Sequence, residues 1–131
     1  MKYERLDLTN ATFMIPIRIE SPDRLRNVIT VLSFLLENLN TNIILKEVDK
    51  ESVFQRDALP VDLDGQDIFQ NLNYIFEQSD DPLFHRQKII NEMIMEADTK
   101  VVVNYDCDVI LRLSAYHMAY SWINDGLFDV D

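Results

Sequence analysis

Residues 11–23 read ATFMIPIRIESPD. Residues 11–20 are a mostly apolar run of strand length, rich in Ile and Phe, and a continuous run of this kind suits a buried strand. A helix signature follows at once. Ser21 is a good N-cap, Pro22 takes the first helical position where its missing N–H does no harm, and Asp23 favours the positive end of the helix dipole. From there Leu25, Val28, Ile29, Leu32, Leu35, Leu36 and Leu39 recur at spacings of three and four, which places them on one face that covers a sheet.

The same alternation continues down the chain. Residues 42–48, NIILKEV, form a second strand candidate, while residues 49–67 are polar, carry Pro60 and Gly65, and read as a loop or irregular insertion. Residues 72–76 give a short third strand, closed by the turn cluster Ser79-Asp80-Asp81-Pro82. A helix over residues 83–97 puts Ile89, Ile90, Met93, Ile94 and Ala97 inward. Residues 100–105, KVVVNY, are a fourth strand. Residues 111–124 then carry Leu113, Tyr116, Ala119, Tyr120 and Ile123 in helical register, with Gly126 as the stop. Strands with continuous apolar runs alternating with helices imply an α/β fold with a Rossmann-like, mostly parallel sheet flanked by helices. Such sheets bind ligands at the carboxyl ends of their strands. With no repeat and no linker, residues 1–131 read as a single domain.

Composition narrows the partners. The chain sets 12 Lys and Arg against 23 Asp and Glu, a formal net charge of -11, so the clustered cations that a nucleic-acid binder needs are missing. A cation is the better partner for such a chain than a polyanion. An apolar fraction of 47% argues against disorder. A single Cys cannot form an internal disulfide, and with only His85 and His117 beside it a zinc site lacks ligands. No apolar run reaches the length of about 18 residues that a membrane span needs, and the start MKYERLDLTN lacks a signal peptide's apolar centre. The expectation is a soluble, cytoplasmic protein.

At the carboxyl ends of the four strand candidates stand Arg18 and Glu20, Glu47 and Asp49, Glu77, then Asp106 and Asp108. Acidic groups gathered on one edge repel one another unless a cation offsets them, which points to Mn²⁺ or Mg²⁺ with oxygen ligands and substrate phosphates. Asp-x-Asp arises easily in an acidic chain and occurs at Asp62-Leu63-Asp64, Asp106-Cys107-Asp108 and Asp129-Val130-Asp131. Only the middle copy directly follows a buried strand; it reads either as a metal site or as a solvated turn. Arg86 and Lys88 sit in the first turn of a helix, the unfavourable end for cations, and invite either a salt bridge to Asp80 or Asp81 or a bound phosphate. His85 reads as a cap or packing residue, Asn91 as a buried hydrogen-bonding residue, Cys107 as a small packing residue, and Tyr116, Tyr120 and Trp122 as core and rim aromatics.

Taken together, the chain resembles the nucleotide-sugar-binding part of GT-A-fold glycosyltransferases, of the family 2 type and the related galactosyltransferase group. Three stretches carry the resemblance: Pro16-Ile17-Arg18, similar to the family's Pro-x-Arg; Phe84 to Asn91, FHRQKIIN, similar to Phe-x-Arg-x-Lys-x-x-Asn; and residues 101–111, VVVNYDCDVIL, similar to the strand that leads into Asp-x-Asp. The resemblance implies a transferase in polysaccharide or glycan synthesis, with a nucleotide-diphospho-sugar donor and a glycan or polysaccharide acceptor. It implies that Pro16, Arg18 and Arg86 lie by the nucleotide and its phosphates and Glu47 or Asp49 by base or ribose. Asp106 would face the donor ribose or sugar while contributing to the metal site, and Asp108 would ligate the Mn²⁺ or Mg²⁺. The family's general base lies well beyond Asp-x-Asp, so the sequence reads as the donor half of a longer enzyme, and the catalytic residue is unassigned. Peripheral membrane association of the full-length enzyme is compatible with this reading.

Two other classes stay open. Haloacid-dehalogenase-like phosphatases also place Asp-x-Asp after an apolar strand, but there the motif opens the domain. A non-catalytic acidic α/β module would carry the carboxylates as a solvated rim.

Overall fold

A computed structural model describes residues 4–58 and 71–125 of the chain. Strand β1 spans Leu6–Ile17, helix α1 Pro22–Asn38, β2 Leu39–Asp49, α2 Val53–Asp57, β3 Leu72–Gln78, α3 Arg86–Glu96, β4 Val101–Asn104 and α4 Leu113–Asn124. The four strands form one sheet in the order β3-β2-β1-β4, and every pairing is parallel. The architecture is a Rossmann-like α/β fold, as the alternation of apolar strands and helices implies. None of the described helices is long and apolar enough to cross a membrane.

β1 begins at Leu6, earlier than its apolar run, and ends at Ile17, short of Glu20. Its pairing with β2 slips between Asp7 and Thr12. The carbonyls freed there are satisfied by side chains: Asn42 Nδ2 donates to Thr9 O at 3.0 Å and to Ala11 O at 3.1 Å, and Thr41 Oγ1 donates to Ala11 O at 3.1 Å. α1 starts where its cap predicts, with Ser21 Oγ accepting from Arg24 N at 3.1 Å. It ends at Asn38, and Leu39 is already extended as the first residue of β2, so Leu39 is buried by the sheet and not by the helix face.

Alternate residues of a strand face opposite sides of the sheet, and here each side has its own core. Phe13, Ile15 and Ile17 of β1 and Ile43 and Leu45 of β2 pack under Val28, Leu32 and Leu35 of α1, together with Phe54 and Tyr116. Met14, Ile44 and Val48 pack against Ile89, Ile90 and Met93 of α3 on the other side. Burying one such side chain contributes about 1.5–3 kcal/mol. Lys46 also lies on the α3 side and reaches Glu92 at 2.7 Å and Glu77 at 3.6 Å, so this buried amine is paired.

Several helix expectations change. α3 starts at Arg86 and not at Leu83, because residues before it follow the turn at 79–85, where Leu83 N donates to Asp81 Oδ1. Ile94 is 44% exposed and Asn91 is exposed, accepting from Gln87, so neither is an inner-face residue. In α4 only Tyr116 is buried; Leu113 and Ile123 stand 38% and 43% exposed. Within the stretch read as irregular, residues 53–57 form α2, and Glu47 explains why so short a helix holds. Its carboxylate accepts from Val53 N at 3.2 Å, Phe54 N at 3.3 Å and Tyr74 Oη at 2.6 Å, capping amides at the start of the helix that have no partner within it. Gly126 and the Asp-x-Asp copies at 62–64 and 129–131 lie outside the described residues.

Leu35 is fully buried, so Leu35→Ala should cost about 2–5 kcal/mol, while Met95→Ala, at 84% exposed, should stay within about 0.5 kcal/mol, both read by urea denaturation. Glu47→Ala should cost about 1–3 kcal/mol by stranding the α2 amides, while the Tyr74 hydroxyl keeps Ser52 Oγ as a partner. Burial pushes the Glu47 carboxyl above its ordinary value of 4.5, outweighing the lowering by its donors. The folded chain therefore holds that proton more tightly than the unfolded one, and this contribution to stability is present below 4.5 and lost as pH rises through the raised value. Glu47→Gln cannot ionise. The stability of the wild type relative to Glu47→Gln should decline across that interval, and a flat difference would contradict the assignment.

Candidate functional site

In a sheet ordered β3-β2-β1-β4 the chain leaves β1 toward β2 on one side, while β4 lies on the other. The carboxyl ends of β1 and β4 are thus the switch point at which α/β sheets open a crevice. A cavity of about 430 Å³ lies there, within the roughly 300–1,000 Å³ range of small-molecule sites. Pro16, Ile17, Arg18 and Glu20 enter it from β1 and the residues after it, Arg24 from the first turn of α1, Phe84 and Arg86 from the start of α3, and Asp106, Cys107 and Asp108 from the loop after β4.

Pro16, Arg18, Arg86, Asp106 and Asp108, which are far apart in the chain, therefore share one cavity. Glu47 and Asp49 do not line it. The Glu47 carboxylate is used on α2, and Asp49 Oδ1 accepts from Lys50 N at 2.7 Å while its carbonyl accepts from Ser79 N.

Arg18 is a clamp as well as a lining residue. Its Nε donates to Val48 O at 2.8 Å, and Nη1 donates to Asp81 O at 3.1 Å and Pro82 O at 3.2 Å. Its guanidinium carbon sits 5.5 Å from the centre of the Phe84 ring, within cation–π range. Nη2 is buried and has no hydrogen-bond partner among the described residues. Arg86 does not pair with Asp80 or Asp81. Its Nη2 donates to Asn104 Oδ1 at 2.6 Å and to Asp106 Oδ1 at 2.8 Å, whereas Asp81 pairs with His85 Nε2 at 2.8 Å. The backbone amide of Leu83 and then His85 hold the Asp81 carboxyl below its ordinary range.

Arg24 was not signalled by any motif. It lies within a turn of the strand end, and that position alone marks it as an edge residue. Its Nη1 lies 3.4 Å from Cys107 Sγ, and Cys107, with nearby Asp108 and Glu20, holds the guanidinium more firmly protonated. Cys107 is buried in the core, as a packing residue should be. The loop that bears the two aspartates is tied down from α4: Tyr105 Oη donates to the Val109 carbonyl, Leu111 N donates to Tyr116 Oη at 2.8 Å, and the two hydroxyls bond each other.

Three guanidiniums and three carboxylates, those of Glu20, Asp106 and Asp108, thus meet in one crevice. No group of three or more His, Cys, Asp or Glu able to hold a metal occurs among the described residues. The donor set that Asp106 and Asp108 offer is that of a hard cation which brings other oxygens with it, since Mg²⁺ is commonly held by one or two carboxylates plus substrate phosphates. No protein-family model matches the chain, and neither the curated proteins nor the solved structures contain a match to it.

Proposed function

We propose that the cavity between β1 and β4 binds the diphosphate of a nucleotide-diphospho-sugar, and that the chain is the donor-binding part of a glycosyltransferase. The observation that supports this reading is the convergence of Arg18, Arg24 and Arg86 with Asp106 and Asp108 in a single cavity at the switch point of the sheet. Guanidiniums present planar forks that match phosphate oxygens, and the spare buried Nη2 of Arg18 is a donor in want of an acceptor. Asp108, with Asp106, would hold Mn²⁺ or Mg²⁺ together with the phosphate oxygens. Such an ion acts as a Lewis acid on the departing nucleoside diphosphate.

This chain's own residues divide the remaining work. Arg86 braces the Asp106 carboxylate through Oδ1, so the side chain is held before any ligand arrives. Asn104 shares that fork and fixes the guanidinium in turn. Arg18 spans the end of β2 and the 81–82 turn, which keeps the far wall of the cavity at a set distance. The acceptor is a glycan or polysaccharide hydroxyl.

Thermal unfolding with Mn²⁺ and UDP or GDP tests the reading. Metal and nucleotide together should raise Tm more than either alone, and ligand at 100-fold its Kd corresponds to about 2.7 kcal/mol of added stability. Asp108→Asn should abolish the metal-dependent part with the fold retained, and Arg86→Ala should weaken nucleotide binding with or without metal. Absence of any shift with either nucleotide in the wild-type chain would sink the proposal.

A further inference from the structure

In the cavity at β1 and β4, two of the groups assigned to the donor are partners of each other. Arg86 Nη2 donates to Asp106 Oδ1 at 2.8 Å, and the same nitrogen donates to Asn104 Oδ1 at 2.6 Å. A guanidinium Nη carries two hydrogens, so these two bonds use both. Arg86 is the first residue of α3, Asn104 the last of β4, and Asp106 lies on the loop after it, so the pair joins helix to loop across the cavity wall. The two side chains are 37% and 59% exposed. An ion pair this open to solvent is weak, and a ligand that offers each partner a stronger one displaces it.

We infer that Arg86 is an internal counter-ion of Asp106 that is exchanged on donor binding: Asp106 turns to the divalent cation, and the Nη2 hydrogen it held passes to a phosphate oxygen. This inference rests on the donor-site reading and adds to it a coupling between the two halves of the ligand. Asn104 keeps the exchange local. Its carboxamide is neutral and competes poorly for a cation against a carboxylate, so it retains the other Nη2 hydrogen and the guanidinium stays in place while one partner changes. Arg18 is built differently, with Nε and Nη1 fixed on the carbonyls of Val48, Asp81 and Pro82, none of which a cation at the aspartates would claim. Asp108 shares the cavity but is not the carboxylate that Arg86 holds. The coupling runs both ways. A cation drawn to Asp106 releases Arg86 for phosphate, and a phosphate drawn to Arg86 releases Asp106 for the cation, by the same factor.

Calorimetric titration of the whole chain with UDP and with GDP, in EDTA and again in Mn²⁺, tests the exchange. Asp106→Asn and Asp108→Asn each remove one negative charge from the cavity, but only the first frees Arg86. Without metal, nucleotide should bind Asp106→Asn about two- to fivefold more tightly than Asp108→Asn, the size expected of an exposed ion pair. In an Arg86→Gln background that difference should vanish, because no guanidinium remains to be released. Circular dichroism checks each fold, and the pair Asp106→Ala and Asp108→Ala serves if an amide variant unfolds. Equal affinities of the two single variants, or a difference that survives Arg86→Gln, overturn the inference, and so does metal-free binding too weak to measure in Asp106→Asn. In those cases the donor-site reading stands if Mn²⁺ still tightens nucleotide binding to the wild type. Absence of nucleotide binding under every condition overturns both.

Discussion

Parallel pairing of β1 on both of its edges is the constraint from which the rest of the molecule follows. A parallel neighbour cannot be reached by a tight turn, so each connection must cross a face of the sheet and carry a helix with it. α1 crosses one face on the way to β2, and α3 crosses the other on the way from β3 to β4. With both faces covered, β1 must be apolar on both sides, which is why Phe13, Met14, Ile15 and Ile17 are all buried. The same constraint brings four strand ends to one edge. Because the chain leaves β1 in one direction and β4 is added in the other, none of the described helices fills the space above their ends. The cavity is a consequence of topology before it is a matter of side chains.

What the side chains add is rigidity. The loop bearing Asp106 and Asp108 has no regular secondary structure, yet it is fastened on two sides. Tyr105 and Tyr116, packed edge-on and tilted against Phe13 with ring centres 5.3 and 6.1 Å from it, hold the backbone at Val109 and Leu111 from within the core. Arg86 holds Asp106 from α3. Tyr116 is also the one buried residue of α4, so the anchor of that helix and the anchor of the loop are the same phenol ring. A binding loop that is already ordered gives up less entropy when a ligand arrives.

The order of every element except α2 was legible in the sequence, because the strands and longer helices carry apolar runs of the right period and the breaks between them are marked. The Ser21-Pro22 start of α1 needed no tertiary information, since a cap is local chemistry. Boundaries were less legible where tertiary pairing overrides local preference: Leu6 to Asn10 are polar in part, yet extend β1, and Leu39 continues a helical period yet belongs to β2. Glu47 marks the limit of reading strand ends as ligand edges. It follows Ile43 and Leu45 by strict alternation and so points into the same core, where Val53, Phe54 and Tyr74 use its oxygens. Strand parity held that information. The convergence of Arg24 with Cys107, and the choice of Asp106 over Asp80 or Asp81 as the partner of Arg86, depend on distances across the sheet and leave no trace in spacing along the chain.

A net charge of -11 suggests a chain that seeks cations, yet the crevice at β1 and β4 is formally balanced, with Arg18, Arg24 and Arg86 against Glu20, Asp106 and Asp108. A bare cation entering it would meet guanidiniums, and a bare anion would meet carboxylates. Neither gains much over water, because each attraction is offset by a repulsion at similar range. A ligand that carries both signs escapes this cancellation, provided its positive part lies by the aspartates and its negative part by the arginines. The proposed metal–diphosphate pair is such a ligand.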